Sequence, residues 1–302
     1  MPSIALGIPV GSPDVRPDTP LAFGRRADEV GAHSVWMIDH IPFPSHEALI
    51  SLAAIAGATS HVRLGLSVLV GALRPPLLLA KMLATIDNIS NGRVIAGLGL
   101  GGRKDDFDAV SVPYDQRGAR LSELIGVLRL AWKGEPVKHD GQFWQFDVPP
   151  IGPLPIQKPL PIYLGGSADA ALKRIAESAD GYVGSSGAGL PGFTRRVQRI
   201  RQYAEEIGRD PREITMIGVV YGCVDPSRQR AYDLAARYAE HYYGPGIRDL
   251  DNHYFLGDAS EGERFVQAYV EAGADIVCLS SVTADPRNLD LLSEQLLPRV
   301  IG

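Results

Sequence analysis

The chain has 302 residues, 45% of them hydrophobic, enough to bury the core of one large α/β barrel or two smaller domains. A net charge of -5 offers no polycation to nucleic acid or to an anionic membrane, and two cysteines make neither a disulfide framework nor a metal site. No apolar stretch reaches the ~20 residues that span a bilayer and no apolar signal core follows Met1, so the expectation is a soluble, cytoplasmic protein.

In chain order, Ile4 to Val10 reads as a short buried strand, followed by a Pro/Gly/Asp-rich loop. Leu21 to Val30 has helical spacing and closes at Gly31, a left-handed C-cap residue. Ser34 to Ile38 is the second strand and delivers Asp39 and His40 at its C-terminal end. Glu47 to Thr59 is an Ala-rich helix, Val62 to Val70 a third strand, and Pro75 to Ile89 a third helix. The fourth strand runs through Val94-Ile95-Ala96-Gly97-Leu98-Gly99-Leu100-Gly101-Gly102, and Gln116 to Trp132 is the fourth helix.

The alternation then pauses. Val137 to Phe146 carries Asp140-Gly141 between β-like flanks, a hairpin signal, and a proline-rich connector follows to Pro161. Strands resume at Ile162, Tyr182, Ile214 and Asp275, each followed by a helix, with an aromatic loop from Tyr242 to Phe255 after the seventh helix. Eight strand–helix units in this length predict a (β/α)8 TIM barrel, a single domain over residues 1–302, with insertions after helix 4 and helix 7. A dinucleotide fingerprint at the Gly97–Gly101 run is disfavoured. A charged turn, Arg103 to Asp108, follows it in place of a helix, and the strand is fourth rather than first.

Barrel active sites lie at the C-terminal ends of the strands. That rule selects Asp39 and His40, Ser67 to Val70, Leu100 to Gly102, Gly165 to Ser167, and Ser185 to Gly187. Position alone leaves two readings of Asp39-His40 open: proton transfer near neutral pH, or a loop-capping carboxylate with a packed imidazole beneath it. Gly165-Gly166-Ser167 and Ser185-Ser186-Gly187 offer amides and hydroxyls to a phosphate, or are plain turns. The only carboxylates at strand ends with glycosidase-like placement are Asp39 and Asp105/Asp106. No metal-ligand spacing and no Gly-x-Ser-x-Gly elbow occur; His33, His46, His61, His139 and His241 fall in loops or at helix edges and are expected at the surface.

Several segments together resemble the bacterial-luciferase-like superfamily, and within it the coenzyme F420-dependent oxidoreductases. They are Ala27 to His40, Arg63 to Val70 with Arg74-Pro75, Leu83 to Gly101, Arg117 to Glu123, Pro161 to Ser167, and Ala179 to Tyr182. The likeness spans nearly the whole chain in order. It implies a flavin or deazaflavin ring held in the barrel mouth, with the residue matching Asp39 touching the cofactor and the one matching His40 transferring a proton. It implies a cis peptide at Ser67-Val68 behind the ring and cofactor contacts from Val70, Leu100 and Gly101. Phosphate loops would come from Gly165, Gly166, Ser167, Ser185 and Gly187.

Two departures stand out. Sugar-phosphate dehydrogenases of the deazaflavin type carry a glutamate where this chain has Gly102 and a phosphate-binding lysine where it has Ala188. With Tyr242, Tyr243, His253, Tyr254 and Phe255 nearby in sequence, a less charged organic substrate is expected.

The resulting expectation is an F420-dependent oxidoreductase acting on a small organic molecule, with His40 as proton donor or acceptor and Asp39 orienting the cofactor or His40. The alternatives are an FMN-dependent two-component monooxygenase served by a separate flavin reductase, and a non-catalytic flavin-binding barrel. A homodimer and a separate F420 or flavin reductase are the partners the resemblance implies.

Overall fold

The computed structural model describes residues 3–185, 187, 189–245 and 249–301. Its strands are β1 (Ser3–Gly7), β2 (Ser34–Met37), β3 (Arg63–Leu66), β4 (Leu69–Val70), β5 (Val94–Gly99), β6 (Val137–Asp140), β7 (Gln145–Val148), β8 (Ile162–Gly165), β9 (Gly181–Val183), β10 (Thr215–Val224), β11 (Tyr254–Gly257) and β12 (Ile276–Ser281). The larger helices are α1 (Thr19–Glu29), α2 (Ala48–Ala58), α3 (Pro76–Ile89), α5 (Arg117–Ala131), α6 (Asp169–Ser178), α7 (Gly189–Glu206), α8 (Arg228–Tyr243) and α10 (Ala259–Glu271), with short helices α4 (Lys104–Asp108) and α9 (Leu250–His253).

Parallel pairing runs β1, β2, β3, β5, β8, β9, β10, β12 and back to β1, which closes the predicted eight-stranded barrel. Each strand is covered on both faces, which is why the sequence shows apolar runs rather than alternation. All six residues of β5 are buried, for example.

Ala5, Trp36, Ile95, Tyr163, Val183, Ile217, Val219, Ile276 and Cys278 fill the barrel interior, with Val68 over them. Gly65 makes room for the largest of these side chains: a Cβ there would lie 2.4 Å from the Trp36 ring. A much larger apolar layer lies between barrel and helices. Both cysteines are buried as expected, and burial pushes the Cys223 thiol up to about 12.

The hairpin of β6 and β7 is antiparallel and stands outside the barrel as an insertion. Glu123 of α5 fastens it, accepting hydrogen bonds from His139 Nε2 at 3.0 Å and from the amides of Phe143 and Trp144. His139 therefore has a specific partner and is only 19% exposed, not the free surface residue expected of it.

Three further segments differ from the expectation. The third strand is broken between Leu66 and Leu69 by a cis peptide at Ser67-Val68, and its two halves pair separately with β5. The charged run after strand four is a short helix, α4, rather than a turn. The aromatic segment is not one loop. Tyr242 and Tyr243 finish α8, and Tyr254 begins β11, which pairs parallel to the outer half of β10. At ten residues β10 overruns its barrel neighbours, so its free edge takes another strand and buries Tyr254 to Gly257.

Candidate active site

The mouth of the barrel is built from the loops that follow β2, β4, β5, β8 and β9, together with the C-terminal end of α8. His40 stands just beyond β2, with its side chain 11% exposed. Its Nδ1 lies 2.9 Å from Asp106 Oδ2, and its Nε2 lies 2.6 Å from the Tyr242 hydroxyl. Asp106 is fully buried in α4, and its other oxygen accepts the Ile41 amide at 2.7 Å. In the neutral imidazole, with the Asp106 carboxylate as acceptor, Nδ1 carries the proton toward Asp106 and the Tyr242 hydroxyl donates to Nε2.

Asp39 was expected to orient either the cofactor or His40; in this structure His40 is held by Asp106, and Asp39 makes no hydrogen bond to it. Asp39 is 2% exposed and is engaged by other partners. Its two oxygens take both terminal nitrogens of Arg74 at 2.7 and 2.8 Å, and one also accepts the Val70 amide at 3.1 Å. Arg74 in turn reaches Glu47, the N-cap of α2, at 2.8 Å. This bidentate pair fixes the segment after the cis peptide to β2 and α2. Each strand-end carboxylate suspected of a hydrolytic role is thus engaged: Asp39 by Arg74, Asp105 by Arg103 and Asp106 by His40.

The cis bond itself is where the sequence resemblance places it, and the Ser67 amide donates to the Met37 carbonyl at 2.8 Å. The Val68 side chain lies between the ends of two strands. A Cβ on Gly99 would come within 2.2 Å of it and one on Gly165 within 2.9 Å. Two glycines therefore leave Val68 as an apolar platform at the centre of the mouth, a surface suited to one face of a planar ring. Val70 is buried and packs with Ala72, Leu73 and Phe107. It supports Gly101 from behind, and Gly101 takes a positive φ of 74°.

On the other side, Leu100, Gly165 and Gly166 are partly exposed, and Ser167, Ser185 and Gly187 are exposed. Ser185 accepts a hydrogen bond from Arg196 at 3.0 Å, which puts a guanidinium of α7 beside the loop read as a phosphate site. A Cβ on Gly102 or on Gly187 would meet nothing within 4 Å, so both backbones are open to an approaching ligand. Ser186 and Ala188 lie outside the described residues. An apolar platform flanked by bare backbone, with hydroxyls and a cation at one edge, fits a tricyclic ring with an anionic tail.

A cavity of about 650 Å³ opens beside His40, lined also by Gly102, Arg103, Tyr242, Tyr243 and Gly244. Arg103 closes its rim: it donates to the Tyr242 carbonyl at 3.2 Å and stands 5.6 Å over the Phe43 ring. Asp106 and Tyr242 were not singled out as partners of His40, since they lie 66 and 202 residues away in sequence. Only the aromatic cluster hinted at Tyr242. No group of histidine, cysteine and acidic residues able to hold a metal occurs among the described residues.

A family model for luciferase-like monooxygenases matches residues 6–275. An uncharacterised protein of Mycobacterium tuberculosis is 34% identical over 178 residues, 58% of this chain and 60% of that protein. The chain thus spans less than two thirds of the length of the first curated relatives it matches. The F420-dependent glucose-6-phosphate dehydrogenase of Amycolatopsis mediterranei is 28% identical over 251 residues, 79% of this chain and 73% of that one. Among solved structures, the monooxygenase RslO1 of Streptomyces bottropensis superposes with a TM-score of 0.85 over 99% of both chains at 22% identity.

Proposed function

The chain belongs to the luciferase-like monooxygenase family, and from that premise we propose that it is a coenzyme F420-dependent oxidoreductase acting on a small organic substrate. The observation that carries the reading is His40, held by the buried carboxylate of Asp106 beside a cavity of about 650 Å³ at the barrel mouth. An imidazole so placed can accept a proton and pass it on, as a dehydrogenase or reductase requires. The likeness to an F420-dependent dehydrogenase supports the choice of cofactor.

When bound, the deazaflavin supplies the two-electron hydride chemistry, and the protein supplies orientation and a proton path. Val68 would back the ring, with Leu100 and Gly101 along its edge. Gly165, Gly166, Ser167, Ser185 and Gly187 would take the phosphate, with Arg196 adding charge to that loop. Asp39 acts as a positioning residue: it holds the Val70 amide and Arg74, and through them the segment carrying Val68. The substrate side is lined by Gly102, Arg103, Asp105, His241, Tyr242 and Tyr243, and the absence of a glutamate at Gly102 weighs against a sugar phosphate.

The variant His40→Ala tests the assignment under anaerobic conditions with F420 and a panel of alcohols, carbonyls and activated alkenes. Turnover is expected to fall about 10²–10⁴-fold with F420 affinity kept. Undiminished turnover contradicts the role given to His40. Activity that depends on oxygen and reduced FMN in place of F420 contradicts the choice of cofactor.

A further inference from the structure

We propose that Tyr242 is a catalytic residue, the group that exchanges a proton directly with the oxygen of an alcohol–carbonyl substrate pair, with His40 and Asp106 behind it. This rests on the oxidoreductase reading above and deepens it by naming the substrate class.

The array has one direction. Asp106 fixes the proton on Nδ1 of His40, which leaves only the Nε2 lone pair to receive a proton. That lone pair does not face the cavity freely, because the Tyr242 hydroxyl sits on it at 2.6 Å. His40 and Tyr242 both line the cavity, so a substrate there meets a phenol and an imidazole already joined. Carboxylate, imidazole and hydroxyl in line form the arrangement by which hydroxyl nucleophiles and acids are generally activated.

The phenol is also held in place. Its ring stacks on Tyr238 with centroids 5.6 Å apart and meets Phe43 edge-on at 5.5 Å. Its backbone carbonyl is held by Arg103. Burial, with Tyr243 beside it, holds the phenol well above its ordinary value, so a free phenolate does not accumulate and its proton leaves only as another arrives.

For oxidation, the substrate O–H bond breaks and its proton joins the Tyr242 oxygen while the phenol proton passes to Nε2 of His40. The carbon gives up its hydrogen with two electrons, as hydride, to the oxidised deazaflavin. The substrate's C–O bond becomes a carbonyl, and the imidazolium charge rests against Asp106. Reduction of a carbonyl runs the same transfers backwards. Tyr242 and Tyr243, which line the cavity, suit apolar substituents on the substrate carbon.

The test pairs Tyr242→Phe with two readouts. The first is the ¹⁵N spectrum of the His40 imidazole in the cofactor-free protein, assigned through His40→Gln. In the native chain Nε2 is expected as a hydrogen-bonded acceptor and Nδ1 as protonated; in Tyr242→Phe the Nε2 signal moves toward that of a free imine nitrogen. The second is turnover of alcohols with F420, where kcat is expected to fall by about 10²-fold or more while F420 affinity stays within about twofold. Should Tyr242→Phe fail to fold, 2,3-difluorotyrosine at position 242 keeps the ring and changes only the acidity; the pH profile of kcat then shifts to lower pH. An unmoved Nε2 signal, kcat within about threefold of native, or an unshifted profile overturns the proposal alone. A native chain that neither binds nor reduces F420 removes the oxidoreductase reading, and this proposal with it.

Discussion

Asp39 and His40 are neighbours in the chain and strangers in the site. Adjacency just past a strand end suggested a carboxylate–imidazole pair, but in the loop after β2 each side chain is taken by a partner from elsewhere in the chain. His40 finds Asp106 from the loop of another strand, and Asp39 finds Arg74. The position of His40 was legible because barrel sites gather at strand ends; its partners were not, because closure of the barrel brings together residues far apart in sequence. The Asp39–Arg74 pair carries a stability prediction. The side chain of Asp39 is 1% exposed and that of Arg74 13%, so Arg74→Leu leaves a buried carboxylate without its cation. The loss is expected to be about 3–5 kcal/mol in urea unfolding, with cofactor affinity falling as the Val68 segment loosens. A loss below about 1 kcal/mol would show that Asp39 has another partner and does not depend on this clamp.

At the level of elements, strands, helices and the hairpin were readable from apolar runs, glycine caps and the Asp140-Gly141 turn. Two of the three segments that depart from the expectation share a cause, burial that only the tertiary structure supplies. Arg103 to Asp108 looked like a solvated turn because its polar residues outnumber Phe107, yet Phe107 and Asp106 are both buried and fold it into α4. Tyr254 to Gly257 looked like loop because nothing local shows that β10 overruns the barrel and leaves an edge to be covered.

The hairpin makes a pH prediction. Burial works against the charge of Glu123, but bonds from His139 and from the amides of Trp144 and Phe143 outweigh it and hold its carboxyl below the ordinary 4.5. A depressed folded-state value means the stabilisation is present above the unfolded-state value and is lost as pH falls through the folded one. Trp144 fluorescence is therefore expected to stay constant from pH 7 to about 5 and to report hairpin release below about 4. In Glu123→Gln that acid transition should vanish, with the hairpin looser at every pH. An unchanged transition would place its origin elsewhere.

Across the whole molecule, the count of strand–helix units and the ordered family segments predicted a closed (β/α)8 barrel, and the pairing of eight parallel strands is that barrel. No helix among the described residues is long and apolar enough to cross a membrane. The fold was legible because each unit repeats the same buried pattern, whereas the chemistry depends on a few loop residues set on that frame.

The claim that matters most is that the mouth holds a deazaflavin, and an anaerobic fluorescence titration with F420 and, separately, FMN addresses it directly. Saturable F420 binding at micromolar concentration or tighter, with FMN at least about tenfold weaker (about 1.4 kcal/mol), is the predicted result. Preference for FMN, or binding of neither, would contradict the account.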